Sequence, residues 1–261
     1  MHQRRQSPTF QLGRLLAHYD VDLTIRSQFL SPILIEMGDT LTGRLKALAL
    51  EQGVDLVGVA HASAFQDAPR GHRPENLLRR ARSVFVMAIH VPEASFELAP
   101  SREYSAAYLV ANSELNRVAF RVARFLESEG HRALQVPASP PYDYERNMGD
   151  LSHRHAGQLA GIGVFGKSNL LLSERFGPRM RLVSVVTDAL LEADEPLEID
   201  LCKDCEECIR GCPSKALQGP RRIDKKACDG YHVEAGRKLQ LEDGEQICGV
   251  CIRLCPVGRA I

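Results

Sequence analysis

For its first 201 residues the chain has no cysteine at all, and all eight of its cysteines fall between Cys202 and Cys255. That distribution excludes a disulfide framework spread through the fold, which would need cysteines along the whole chain and an oxidising compartment. A surplus of charge is missing too, because 33 Lys and Arg balance 33 Asp and Glu. No long run of one sign is available to track a phosphate backbone or an anionic membrane, so nucleic acid is not the expected partner. Nor does any apolar stretch approach the ~20 residues of a membrane-spanning helix. The chain therefore reads as soluble and cytoplasmic. Arg4 and Arg5 match the start of a twin-arginine export signal, but Arg14, Asp20 and Asp22 stand where its apolar region belongs.

What is present divides the 261 residues into unequal parts. Residues 1–38 have mixed polarity without a clean period and read as an N-terminal extension. From Asp39 the pattern sharpens: Leu41, Leu45 and Leu48 recur at helical spacing, Gly53 marks the stop, and Val54 to Ala60 reads as a strand. Pro74 to Arg80 predicts a second helix, and Ser83 to Val91 is apolar enough for a strand buried on both faces. Leu115, Val118, Ala119, Val122, Phe125 and Leu126 then form one stripe of a long helix over Glu103 to Glu129. A short strand at Ala133 to Val136, a loop over Pro137 to Asp150, a helix from Ser152 to Ala160 and a strand at Arg181 to Thr187 complete a 39–200 α/β domain. The acidic segment Leu190 to Asp200 reads as a linker to residues 201–261.

In that last part Cys202, Cys205, Cys208 and Cys212, followed by Pro213, form Cys-x2-Cys-x2-Cys-x3-Cys-Pro. Cys248, Cys251 and Cys255, followed by Pro256, repeat a shortened copy, and Cys228 lies between. One tight turn can aim three thiolates at three corners of an iron-sulfur cubane, while the fourth corner takes a cysteine from elsewhere; in two-cluster ferredoxins the cysteine before proline serves the other cluster. By that rule Cys202, Cys205, Cys208 and Cys255 hold one 4Fe-4S cluster, and Cys248, Cys251, Cys212 and Cys228 hold the second. Structural zinc also uses Cys-x2-Cys pairs, but usually as two separated pairs without the third close cysteine and the proline.

The order of eight cysteines, with Cys228 sixteen residues after Cys212, resembles the epoxyqueuosine reductases and the related reductive dehalogenases. So do the glycine-rich run Ala160 to Asn169 and the segment Phe176, Gly177, Pro178 and Arg179. The resemblance implies a nitroreductase-like α/β domain with a mixed sheet that binds a corrinoid, followed by a dicluster ferredoxin domain that reduces it. It implies cobalamin as a third cofactor, with flavin ranked behind it. Gly161, Gly163, Gly166, Lys167 and Asn169 are then expected at the cofactor, because a residue without a side chain lets the backbone approach a flat ligand. For these glycines a tight turn that packs helix against strand is the alternative. The chain departs from the family by ending at Ile261, without the C-terminal helical region by which epoxyqueuosine reductase engages transfer RNA, and by placing Asn147 where that reductase has its acid. A small-molecule substrate is expected instead of RNA.

Reduction at carbon needs a proton as well as electrons. Tyr142, Tyr144, Asp150, His153 and His155 lead into the glycine run, with Tyr142 and Asp150 placed where substrate reaches them most easily. His153 and His155 are two apart in a predicted helix, point to different faces, and do not make a metal pair. The sequence thus supports an iron-sulfur reductase fed by an external donor of ferredoxin or flavodoxin type. Its rival is a relay protein that passes electrons to another protein without chemistry of its own.

Overall fold

The computed structural model describes residues 39–139, 143, 148–241 and 248–259. The N-terminal extension, Tyr142, Tyr144 and Asn147 lie outside the described residues. Thr40 starts α1 (Leu41–Glu51) by accepting the Gly43 N–H at 3.1 Å. β1 (Leu56–His61) follows. The helix predicted over Pro74 to Arg80 is a single turn, α2 (Pro74–Leu77), because Leu78 is extended and Arg80 is left-handed at φ 68°. After β2 (Ser83–His90), Ser101 caps the 27-residue α3 (Arg102–Ser128). Then come β3 (Ala133–Val136), α4 (His153–Leu159), the hairpin β4 (Val164–Phe165) with β5 (Leu171–Leu172), and β6 (Met180–Thr187).

The main sheet has the order β1-β2-β6-β3. All three of its pairings are antiparallel. The α/β organisation is as expected, and the mixed sheet is refined to an antiparallel one. Both faces are covered, which is why β2 reads as a continuous apolar run. Phe85 and Met87 point toward Leu45, Leu115 and Leu126 of α1 and α3. Val84, Val86 and Ala88 point toward Ala156 of α4 and Leu78. Burying one such large side chain stabilises the fold by roughly 1.5–3 kcal/mol. The α4 end lies so near β1 that a Cβ on Gly58 would meet the Ala160 carbonyl oxygen at 2.2 Å.

Residues 190–195 are a strap bound to the sheet. Ser83 Oγ accepts the Leu191 N–H, Thr42 Oγ1 accepts the Glu192 N–H, and Asp194 takes the Val59 N–H and the Lys46 ammonium at 2.8 and 2.6 Å. Beyond it, α5 (Glu207–Arg210), β7 (Leu217–Gly219), β8 (Arg222–Ile223), α6 (Lys225–Leu239) and α7 (Val250–Leu254) build the cysteine module. The two parts interlock where 176–179 meets 252–258: a Cβ on Gly177 would meet the Val257 carbonyl oxygen at 2.0 Å. Among the described residues no helix is long and apolar enough to cross a membrane.

Candidate redox centre

Asp200 accepts the Cys202 and Lys203 N–H groups, and Cys205 N–H donates to the Cys202 carbonyl at 2.8 Å, so the first cysteine loop is wound tight. α5 then carries Cys208, and Cys255 follows α7. These four thiols line one cavity together with Ser168, Leu172, Pro256 and Val257. Burial, then Cys202, Cys255 and Cys205, pushes Cys208 up to about 11. Thiols that raise one another in this way gain from a shared cationic centre.

Cys212, Cys228, Cys248 and Cys251 form the other grouping. Cys228 is pushed up to about 11 by burial, then by Cys248 and Cys212. Burial raises Cys251 further, with Cys248, Cys228, Cys208 and Cys212 adding to it. The two groupings adjoin where the end of α5 meets α7: a Cβ on Gly211 would lie 2.1 Å from the Leu254 side chain. Cys228 Sγ lies 3.7 Å from His232 Nε2, and Cys212 Sγ lies 3.6 Å from Ser214 Oγ. None of the eight cysteines forms a disulfide. Among the described residues, no three His, Cys, Asp or Glu converge closely enough for a single metal ion.

The glycine run packs beside the first grouping. Lys167 N–H donates to Cys202 Sγ at 3.4 Å, and Lys167 Nζ lies 4.0 Å from Glu206. The glycines themselves answer to internal packing. A Cβ on Gly161 would meet the Glu195 carbonyl oxygen at 2.5 Å, one on Gly163 the Leu172 carbonyl oxygen at 2.2 Å, and one on Gly166 the Leu172 side chain at 2.6 Å. The space that a missing side chain leaves is filled by the chain, which is what the turn alternative requires of these glycines. Asn169, left-handed at φ 59°, closes this turn by donating its N–H to the Gly166 carbonyl, and its own carbonyl accepts from Arg154.

Of the expected proton donors, Tyr142 and Tyr144 lie outside the described residues, and Asp150 is exposed on the loop before α4. His153 is committed to structure. Its Nε2–H donates to the Pro137 carbonyl at 2.8 Å, so Nδ1 accepts from the Ser184 hydroxyl at 2.9 Å. Burial pushes it down to about 4, which keeps it neutral. His155 packs on Phe165 at 4.7 Å.

A polar cluster around a phenol lies on α3 and β6. Arg181 donates from Nε to Asn112 Oδ1 at 2.9 Å and from Nη2 to the Tyr108 hydroxyl at 3.0 Å, with its guanidinium 4.1 Å from the centre of the Tyr108 ring. Burial would raise the Tyr108 phenol, but Arg181, Ser139 and Asn112 outweigh it and hold the phenol below its ordinary value. Asn112 is buried, and among the described residues its Nδ2 makes no hydrogen bond of good geometry. One turn earlier, the Tyr104 ring lies against Gly249, where a Cβ would meet it at 2.4 Å. Arg154 lies in range of the charge of both Arg181 and Cys228. The polar cluster and the second cysteine grouping thus meet at the joint between the two parts. Periodicity carried a signal for it: Tyr104, Tyr108 and Asn112 continue the buried stripe of α3 at four-residue spacing, but with polar groups.

Residues 201–258 match the family model described as a 4Fe-4S double cluster binding domain. The chain is 26% identical to an epoxyqueuosine reductase of Prochlorococcus marinus, over 83% of its own length and 78% of that protein's. A solved epoxyqueuosine reductase bound to a tRNA stem loop has 21% identity and a TM-score of 0.59, covering 88% of this chain and 66% of that one. A reductive dehalogenase whose structure is described in terms of B12-dependent dehalogenation has 20% identity and a TM-score of 0.67, covering 89% of this chain and 36% of that one. The chain thus spans about two thirds of the first of these structures and about a third of the second.

Proposed function

Since the chain is related in sequence to the epoxyqueuosine reductases and shares its fold with them and with the reductive dehalogenases, we propose that it is an iron-sulfur reductase. In this reading its two 4Fe-4S clusters pass electrons one at a time from an external donor, and a small molecule is reduced at the joint between the two parts. The ligand sets are Cys202, Cys205, Cys208 and Cys255 for one cluster and Cys212, Cys228, Cys248 and Cys251 for the other. The observation that carries the chemistry is the Tyr108 and Arg181 pair beside the second set.

Tyr108 supplies the proton. As its O–H bond breaks, the negative charge on the phenolate oxygen forms against the Arg181 guanidinium, already at 3.0 Å. That charge is stabilised without reorganisation, which is what lowers a barrier to proton transfer. Asn112 fixes Arg181 through its Nε and holds that geometry. Arg154 and Arg181 give the joint a positive character suited to an electron-rich reduced centre. This assignment moves the acid from Tyr142 and Asp150 to Tyr108.

Corrinoid is the cofactor this reading favours, and when bound it would supply a strongly reducing, nucleophilic metal centre. The residues present fit such a group at the joint, where among the described residues the buried Asn112 Nδ2 makes no hydrogen bond of good geometry. Arg154, Asn112 and Arg181 are the groups that would hold its polar periphery.

The test is anaerobic titration of the iron-loaded protein with a corrinoid, and separately with flavin, followed by visible spectroscopy. Saturable corrinoid binding that weakens in Asn112→Leu supports the reading. Binding of neither cofactor with both clusters intact removes it and leaves the relay protein. A tRNA stem loop belongs in the same titration series, and its tight binding would replace the small molecule by RNA.

A further inference from the structure

Arg179, just before β6, is among the most deeply buried large side chains of the protein, at 1% exposure. Its guanidinium crosses the joint and holds the turn that carries Cys255. Nη1 donates to the Val257 carbonyl at 2.7 Å, and Nη2 donates to the Cys255 carbonyl at 2.5 Å and the Ile252 carbonyl at 3.5 Å. These include carbonyls at the C-terminus of α7, where a cation also meets the negative end of the helix. The counter-charge is offset to the outside: Glu93 Oε1 lies 3.6 Å from Nε, and its side chain is 34% exposed. Water screens the carboxylate more than the guanidinium, so the interior next to Cys255 carries a net positive field.

We propose that Arg179 raises the reduction potential of the cluster held by Cys202, Cys205, Cys208 and Cys255. The proposal rests on that ligand set. Reduction adds one electron from the external low-potential donor and makes the cluster more negative by one charge, with no bond made or broken. A buried cation one carbonyl away stabilises the reduced form, and charge near a cluster is among the factors that fix its potential. At the second set Arg154 and Arg253 lie in charge range of Cys228 and Cys248, but among the described residues neither donates a hydrogen bond to the carbonyls of those turns as Arg179 does to Cys255. A merely structural clamp would leave both potentials where they are once the protein is folded and loaded.

The experiment is a redox titration of the anaerobically loaded protein with dithionite, read by electron paramagnetic resonance. Cys228→Ser, which removes the second cluster, identifies which midpoint belongs to the first. Arg179→Gln is expected to lower that midpoint by at least the equivalent of a tenfold change in the reduction equilibrium, about 59 mV for one electron, and to leave the other in place. Arg179→Lys should retain most of the wild-type value. Glu93→Gln, which leaves the clamp intact, should move the same midpoint upward. Midpoints unchanged in Arg179→Gln, or both shifted together, would overturn the proposal. If Arg179→Gln does not take up iron, an unshifted midpoint in Glu93→Gln overturns it instead. Loss of both clusters in Cys228→Ser would instead refute the ligand set, a result distinct from any Arg179 outcome.

Discussion

The two cysteine groupings differ in what surrounds them. The first sits against the packed glycine turn, with the Lys167 amide on Cys202 and a buried guanidinium behind Cys255. The second faces Tyr104, Arg154 and, beyond them, the Tyr108 and Arg181 pair. One site is backed by the packed glycine turn, and the other lies beside a phenol and two guanidinium groups. Two sites built from near-identical motifs thereby acquire different surroundings, and under the proposed function the second is the one nearer the proton donor.

Removing the proton donor should break this contrast most sharply. Tyr108→Phe deletes one hydroxyl and is expected to slow turnover by about 10²- to 10⁴-fold while leaving iron content and cluster spectra unchanged. Equal slowing in Asp150→Asn with none in Tyr108→Phe would return the acid to the exposed loop.

Packing gives the next largest effect. In Gly163→Ala the new methyl would lie 2.2 Å from the Leu172 carbonyl oxygen, so the β4–β5 hairpin must open, at a cost of about 3 kcal/mol. Gly230, in α6, has nothing within 4 Å of its Cβ position. Gly230→Ala should therefore be neutral or stabilise by up to about 1 kcal/mol. Denaturation midpoints of the two variants are expected to move in opposite directions.

The smallest effect comes from His153. Its folded value of about 4 lies below the ordinary 6.5, so between those values the unfolded chain binds the extra proton. Its contribution is fully present above about pH 6.5 and is lost as pH falls, reaching roughly 3 kcal/mol by pH 4. Wild type should lose on the order of 1 kcal/mol between pH 7.5 and 6. His153→Asn should show a flatter dependence over that interval in parallel urea titrations.

Much of the fold was legible because its signals are local. The α3 stripe, the doubly buried β2 run and the cysteine spacing each reflect a short-range rule, and the elements fall within a few residues of expectation. The short α2 was missed because Pro74 announces where a helix starts, while its early end is set by the backbone at Leu78 and Arg80. At the site, the cysteines announced themselves, but Tyr108 and Arg181 are 73 positions apart (181 minus 108), and only the β6–α3 packing brings them together. The glycines were legible as glycines. Their close packing against Leu172 and Glu195 was not legible, because no local pattern connects those residues to them.

The central claim is that the crossed cysteine sets form two separate clusters at this joint. Iron and acid-labile sulfide should be counted, with electron paramagnetic resonance spectra, in wild type, Cys205→Ser and Cys228→Ser purified without oxygen. About eight irons in wild type, with each variant losing a different one of two signals, is the expected result. Equal loss of both signals in both variants would contradict it.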